Sequence, residues 1–150
     1  MTEEQREIFN RSCDQAANGN PLAAEFIGRW LCYFRSIEKL AQMEQCEPEK
    51  FLNVLAETNL VYSCPYYTQN AAFLTTSVAQ MLNDFGDCLA WRAAGEDWQK
   101  RMAETFYHAG ETMVLQVAVL EGGFSLMRAI SPRLREAVQQ CHVDISASQS

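Results

Sequence analysis

A basic surface is what this sequence most lacks. Lys and Arg number 12 against 19 Asp and Glu, for a formal net charge of -7 over 150 residues. Phosphate binding needs a basic footprint that dominates locally, so nucleic acid is not the expected partner. Arg128, Arg133 and Arg135 form the one basic cluster, with Glu136 beside them, and read as solvated surface. Long hydrophobic runs are missing too. The apolar stretch from Thr112 to Leu120 is nine residues, and a helix crossing a bilayer needs about 20, so no membrane partner is expected. The N-terminal MTEEQREIF is acidic and polar, unlike a secretory signal peptide. Histidine occurs only twice, and none of the six cysteines form a C-x-x-C pair, so no structural zinc site is expected. Without a leader, the cysteines read as reduced thiols in a cytoplasm. Cys141 and His142 are adjacent, which points their side chains apart on a helix, and every cysteine is read as small apolar packing.

Period-two alternation is absent over any useful length, which excludes a sheet as the organising element. What remains is helical. Glu3 to Ala17 reads as a first, mostly polar helix, ended by Asn18-Gly19-Asn20. Asn20 then caps a second helix with Pro21 in its first turn, running to about Gln45. Phe26, Ile27, Trp30, Tyr33, Phe34, Ile37, Leu40 and Ala41 give it a broad apolar face. Pro48 opens a third helix through Phe51, Leu52, Val54, Leu55 and Leu60. Pro65-Tyr66-Tyr67 makes an aromatic corner into a long fourth helix, about Thr68 to Ala94. Its inner side carries Leu74, Val78, Met81, Leu82, Phe85, Cys88 and Leu89.

A fifth helix, 97–121, follows Gly95. Its inner stripe is Trp98, Met102, Phe106, Ala109, Met113, Val117 and Leu120. From Met113 to Leu120 it is apolar at every position except Gln116, so it belongs at the centre of the fold. Gly122-Gly123 ends or bends it, and Pro132 starts a last helix to about Gln140. The expectation is an all-α, single-domain bundle of five or six helices over residues 1–142, with the helix 97–121 at its centre and a flexible C-terminal tail over 143–150.

Candidate chemistry collects in three places. Arg101, Glu104, His108 and Glu111 fall on one side of the fifth helix and read first as a surface ion-pair ladder. Glu111 stands where that surface closes over, at Leu115 and Ala118, and a covered carboxylate needs a partner. Arg128, returning after the double glycine, is the partner expected. On the fourth helix, Asn83 and Asp87 share a face that could hold a hard cation with Glu38 of the second helix, though a solvated polar face is the simpler reading. Tyr62, Tyr66 and Tyr67 read as a packed connection or as an interface, since clustered tyrosines suit both.

Three resemblances follow from these residues. Arg101 and His108, with six residues between them, resemble the Arg-x(4–6)-His pattern of HEPN-type helical ribonucleases, which implies His108 as acid or base on a 2'-hydroxyl and Arg101 steadying phosphate. Ser36-Ile37-Glu38-Lys39-Leu40, the corner Cys64-Pro65-Tyr66-Tyr67 and the helix end Leu120-Glu121-Gly122-Gly123 come in an order that resembles a group of uncharacterised all-α proteins of phages and prophages, over roughly residues 20 to 138. Glu38, Asn83 and Asp87 are also distantly similar to the acidic motifs of isoprenoid-synthase-like bundles, which implies magnesium against a diphosphate. Lys39 and Gln42 replace acids that this chemistry requires. The leading expectation is a small acidic, non-catalytic helical protein of phage or prophage character, acting through protein–protein contacts or as a homo-oligomer, with no cofactor. A magnesium-dependent or relic enzyme and a ribonuclease are the alternatives.

Overall fold

A computed structural model describes residues 1–147, and the side chains of residues 1–138. The helices are α1 (Glu3–Ala17), α2 (Pro21–Ala41), α3 (Pro48–Tyr62), α4 (Pro65–Gln69), α5 (Ala71–Ala94), α6 (Asp97–Phe106) and α7 (Thr112–Ala147), with a 3-10 turn at Ala109–Glu111 before α7. Six of these are long helices and α4 is a single turn. No strand occurs among the described residues. The all-α bundle is thus the architecture, and several of its boundaries differ from those the sequence suggests.

Local chemistry sets the starts. Thr2 and Gln5 cap α1 reciprocally, each side chain taking the other's backbone N–H at 2.7 and 3.2 Å. Asn20 accepts from the N–H groups of Leu22 and Ala23, with Pro21 in the first turn of α2. Pro48 and Pro65 open α3 and α4 in the same position. Asn70 separates α4 from α5, its side chain donating to the carbonyl of Tyr66 at 2.9 Å, so the fourth helix begins at Ala71 and not at Thr68.

Two departures matter for the site. The fifth helix is not continuous over 97–121. It stops at Phe106, and a 3-10 turn intervenes before α7. Gly110 is the cause: a Cβ there would lie 2.1 Å from the Phe34 ring, and its carbonyl accepts from Trp30 Nε1 at 2.8 Å. An unbroken helix cannot bring its backbone that close to α2. The break shifts the phase of the inner stripe, so Trp98 is 54% exposed and Met102 is exposed as well, while Ala103 takes the buried position of α6. The second departure is in α7, which bends at Gly123 (φ 72°, ψ -171°) and then continues through Pro132 to Ala147. Only glycine adopts that φ cheaply. Pro132 is solvent-exposed and does not start a new helix. It leaves the carbonyl of Arg128 without a helical donor, and Arg128 is itself exposed, so water can serve it. The tail expected from Val143 is helical as far as Ala147, and residues 148–150 lie outside the described residues.

The core has two joined parts. Met113, Val114, Val117 and Ala118 of α7 are fully buried, as their run of apolar side chains requires. Beside them, a chain of aromatic rings runs along α2. Tyr66 stacks on Phe26 at 5.5 Å, Phe26 leads to Trp30, Trp30 stacks on Phe34 at 5.9 Å, and Phe34 meets Phe85 edge-on at 5.5 Å. Each such pair adds about 0.5–1.5 kcal/mol beyond burial. The ladder ends at Tyr107, 6.2 Å from Phe85. α1 lies antiparallel along α7. Its last residues reach Glu121, and its first turn sits beside Arg133 and Ala137.

By length and composition, one helical stretch within Asp97–Val138 is apolar enough to cross a membrane. That stretch is interrupted between Phe106 and Thr112 and bent at Gly123, and about a third of its most apolar window is buried.

Candidate functional site

The break between α6 and α7 is where the polar groups gather. Released from the α6 helix, His108 and Glu111 turn inward and pair, Nδ1 to Oε1 at 3.3 Å, with most of both side chains covered. They face a pocket of about 170 Å³ between α5, the end of α6, the 3-10 turn and both arms of α7. Asp84 reaches it from α5. Because α7 folds back at Gly123, its returning arm brings Leu134 and Arg135 to the same pocket as Leu115. Glu111 Oε2 is buried and accepts no hydrogen bond from the described residues.

On the other side of Glu111 stands Glu38, partly buried on α2, with Oε1 enclosed and accepting no hydrogen bond. Burial, and after it the Glu111 carboxylate, raise the Glu38 carboxyl to about 8 against the pull of the Arg35 and Arg92 guanidiniums. Glu38 is therefore a neutral acid at pH 7. Tyr107 closes this side, its hydroxyl accepting from Gln42 Nε2 and its ring lying under Arg92 at 4.2 Å. Burial raises the Tyr107 phenol, as does Glu38. Burial also pushes the Cys13 thiol up to about 12, with Asp14 and Glu111 adding to the effect, so it stays protonated and is no nucleophile. Five cysteines are free thiols, and the side chain of Cys141 lies outside the described residues.

The candidate residues are brought together only in part. Glu111 does not pair with Arg128. Arg128 is exposed on the returning arm, and His108 takes the contact. Arg101 is exposed on α6, while His108 lies beyond that helix's end. The single helical face expected for the ribonuclease pattern is thus not formed. Asn83 and Asp87 are on the solvent side of α5, where Asn83 Nδ2 donates to Asp87 Oδ2 at 3.4 Å. Glu38 instead faces the Cys88–Arg92 side of that helix, since both groups respond to its charge or act on it. Among the described residues no group of three His, Cys, Asp or Glu is arranged to hold a metal ion. Glu38, Asn83 and Asp87 do not fit a magnesium site.

Tyr66 and Tyr67 are buried, and Tyr62 packs edge-on against Tyr67 at 4.9 Å. Tyr66 and Tyr67 belong to the core, and Tyr62 is partly buried against it. Tyr66 is fixed by Glu121, which the sequence reading passes over: Tyr66 donates to Oε1 at 2.7 Å, while Asn20 donates to Oε2 at 3.2 Å and Asn18 to the Glu121 carbonyl at 3.1 Å. One carboxylate ties the α1–α2 turn, the aromatic corner and the α7 bend together. The signal was there, as Glu121 is the one charge between Thr112 and Gly123. Asp84 and Arg135, also missed, carry no such mark.

No protein-family model, no curated protein and no solved structure matches this chain.

A second surface concerns α3. Its inner side is Val61 with partly buried Val54. Its outer side carries Phe51, Leu52, Leu55 and Leu60, all exposed, Leu52 by 61% and Leu60 by 54%. Ala56 lies among them and Glu49 is the one charge on that side.

Proposed function

We propose that this protein works through protein–protein contacts, and that the contact is self-association through α3. The supporting observation is its outward side. Four large apolar side chains on one helix are more than scattered surface hydrophobics, and among the described residues nothing covers them. A second copy is the occupant that suits this side best. Two-fold pairing is isologous and needs a self-complementary patch. Antiparallel α3 helices would set Phe51 of one copy against Leu60 of the other, with Leu55 and Ala56 between. The two Glu49 carboxylates would fall at opposite ends, so no like charges are buried together. On the resemblance carried by the Cys64–Tyr67 corner and the Leu120–Gly123 bend, the setting we propose is the cytoplasm of a bacterium bearing a phage or prophage.

Light scattering coupled to size exclusion tests this. The wild type is expected to show twice the chain mass of 17.0 kDa. The dimer should tighten as salt rises, because each copy carries a formal charge of -7 that repels the other. Leu52→Glu with Leu55→Glu changes only exposed positions and is expected to give a folded monomer by circular dichroism. A wild-type monomer at high concentration, or a dimer indifferent to the double substitution, would sink the reading.

A further inference from the structure

The pocket behind the 3-10 turn holds opposite charges that do not meet. Asp84 and Arg135 both line it, yet no ion pair joins Arg135 to any carboxylate among the described residues. Asp84 has one oxygen engaged, by Gln80 Nε2 at 2.6 Å, and Arg135 gives its Nε to Ser131 Oγ at 3.3 Å. The terminal guanidinium nitrogens and the second Asp84 oxygen are left to what lies between them. Glu111 adds a second carboxylate to the lining. Leu115 and Leu134 supply apolar wall. Pockets for small molecules have this composition, mostly apolar with a few convergent polar groups.

We propose that this pocket binds a small zwitterion of the α-amino-acid class with an aliphatic side chain. The ammonium would donate to the free Asp84 oxygen, with the Glu111 carboxylate lining the same wall. The carboxylate would take the Arg135 guanidinium, whose fork suits a carboxylate. The aliphatic body would lie on Leu115 and Leu134. Size limits the class: the volume is about 170 Å³, and an engineered cavity of about 150 Å³ takes benzene. A lone amine leaves Arg135 unsatisfied, and a lone acid meets Glu111 and Asp84 with like charge.

The test is thermal stabilisation and calorimetric titration of the full chain with three probes at millimolar concentration: L-leucine, isopentylamine and 4-methylpentanoate. Leucine is expected to raise the melting temperature, because a ligand that binds the native state stabilises it, and to bind at least about tenfold tighter than either half. Arg135→Ala alters an exposed residue that makes one weak side-chain bond. It is expected to weaken leucine about tenfold or more and to leave isopentylamine unchanged. Amide chemical shifts of Thr112 and Leu115 should move with leucine in the wild type. No response to any probe overturns the proposal, since the pocket then holds only water. Equal binding of leucine and isopentylamine overturns it as well, as does leucine binding that ignores Arg135→Ala.

Discussion

Glu38→Gln isolates the electrostatics of the site in one measurement. A glutamate in the unfolded chain titrates near 4.5, and in this fold Glu38 is raised to about 8. Between those values the native state holds a proton that the unfolded state has lost. The slope of unfolding free energy with pH is proportional to protons bound unfolded minus protons bound native, so here it is negative. Glu38 thus contributes nothing unfavourable below pH 4.5 and destabilises the fold progressively as pH rises through 8. At about 1.4 kcal/mol per pH unit, the full displacement would correspond to about 5 kcal/mol. Water reaches part of this residue and screens its partners, which reduces the expected effect to about 1–2 kcal/mol.

Glutamine matches the protonated carboxyl in shape and never ionises. Wild type and Glu38→Gln should therefore melt together at pH 5 and separate as pH rises. At pH 8.5 the variant is expected to be about 2–8 °C more stable, at about 2–4 °C per kcal/mol for a chain of this size. The difference between the two proteins is the quantity to follow, because His108 and other groups titrate in both. Glu111→Gln in the same series removes the second cause of the shift, so the separation should still open above pH 4.5 but level off at lower pH and reach a smaller value. A variant less stable than wild type at pH 8.5, or a gap that does not change with pH, would refute the placement of Glu38 beside Glu111 in a water-poor site. Chemical denaturation at each pH gives the same comparison without heat.

Two further substitutions test the frame that holds the site. Gly110→Ala puts a methyl group into the Phe34 ring and should cost about 3 kcal/mol, or about 6–12 °C in Tm. Gly28→Ala, in mid-α2 with nothing near its added Cβ, should instead raise stability by about 0.5–1 kcal/mol, and the two together separate packing from helix propensity. Tyr66→Phe removes the buried hydroxyl that donates to Glu121 and should cost about 2 kcal/mol, read as a drop of about 4–8 °C.

The parts of the fold legible in the sequence were those governed by neighbours along the chain. Asn20 and Pro21 announce the start of α2 because capping and a fixed φ act within one turn. The burial of Met113 to Ala118 follows from a run with no polar side for water. Trp98 and Met102 were misplaced by the same reasoning carried too far: one helical phase was extended across Tyr107 to Gly110, where the phase is reset. What resets it is a contact between Gly110 and Phe34, residues distant in sequence and close only after folding. The site inherits this. His108 and Glu111 were legible as a polar pair one turn apart, but the partner expected for Glu111, Arg128, was chosen from sequence proximity to the bend. Asp84 and Arg135 reach the pocket only because α5 packs against the turn and α7 doubles back, and neither fact is local.

Two glycines therefore define the pocket from opposite ends. Gly110 lets the backbone press against Phe34, with its carbonyl held by Trp30. That close approach ends α6 and turns the His108–Glu111 pair away from the helix surface. Gly123 takes a φ of 72°, and the arm beyond it carries Leu134 and Arg135 back over the same turn. Glu121 clamps the bend through Tyr66 and Asn20, so the returning arm is fixed to the end of the aromatic ladder opposite the one that positions Gly110. The ladder runs from Tyr66 through Phe26 and Trp30 to Phe34, with two stacked contacts and one tilted. It sets the distance between the two glycine positions, and with it the gap across which Asp84 and Glu111 face Arg135. The polar site is thus a consequence of apolar packing.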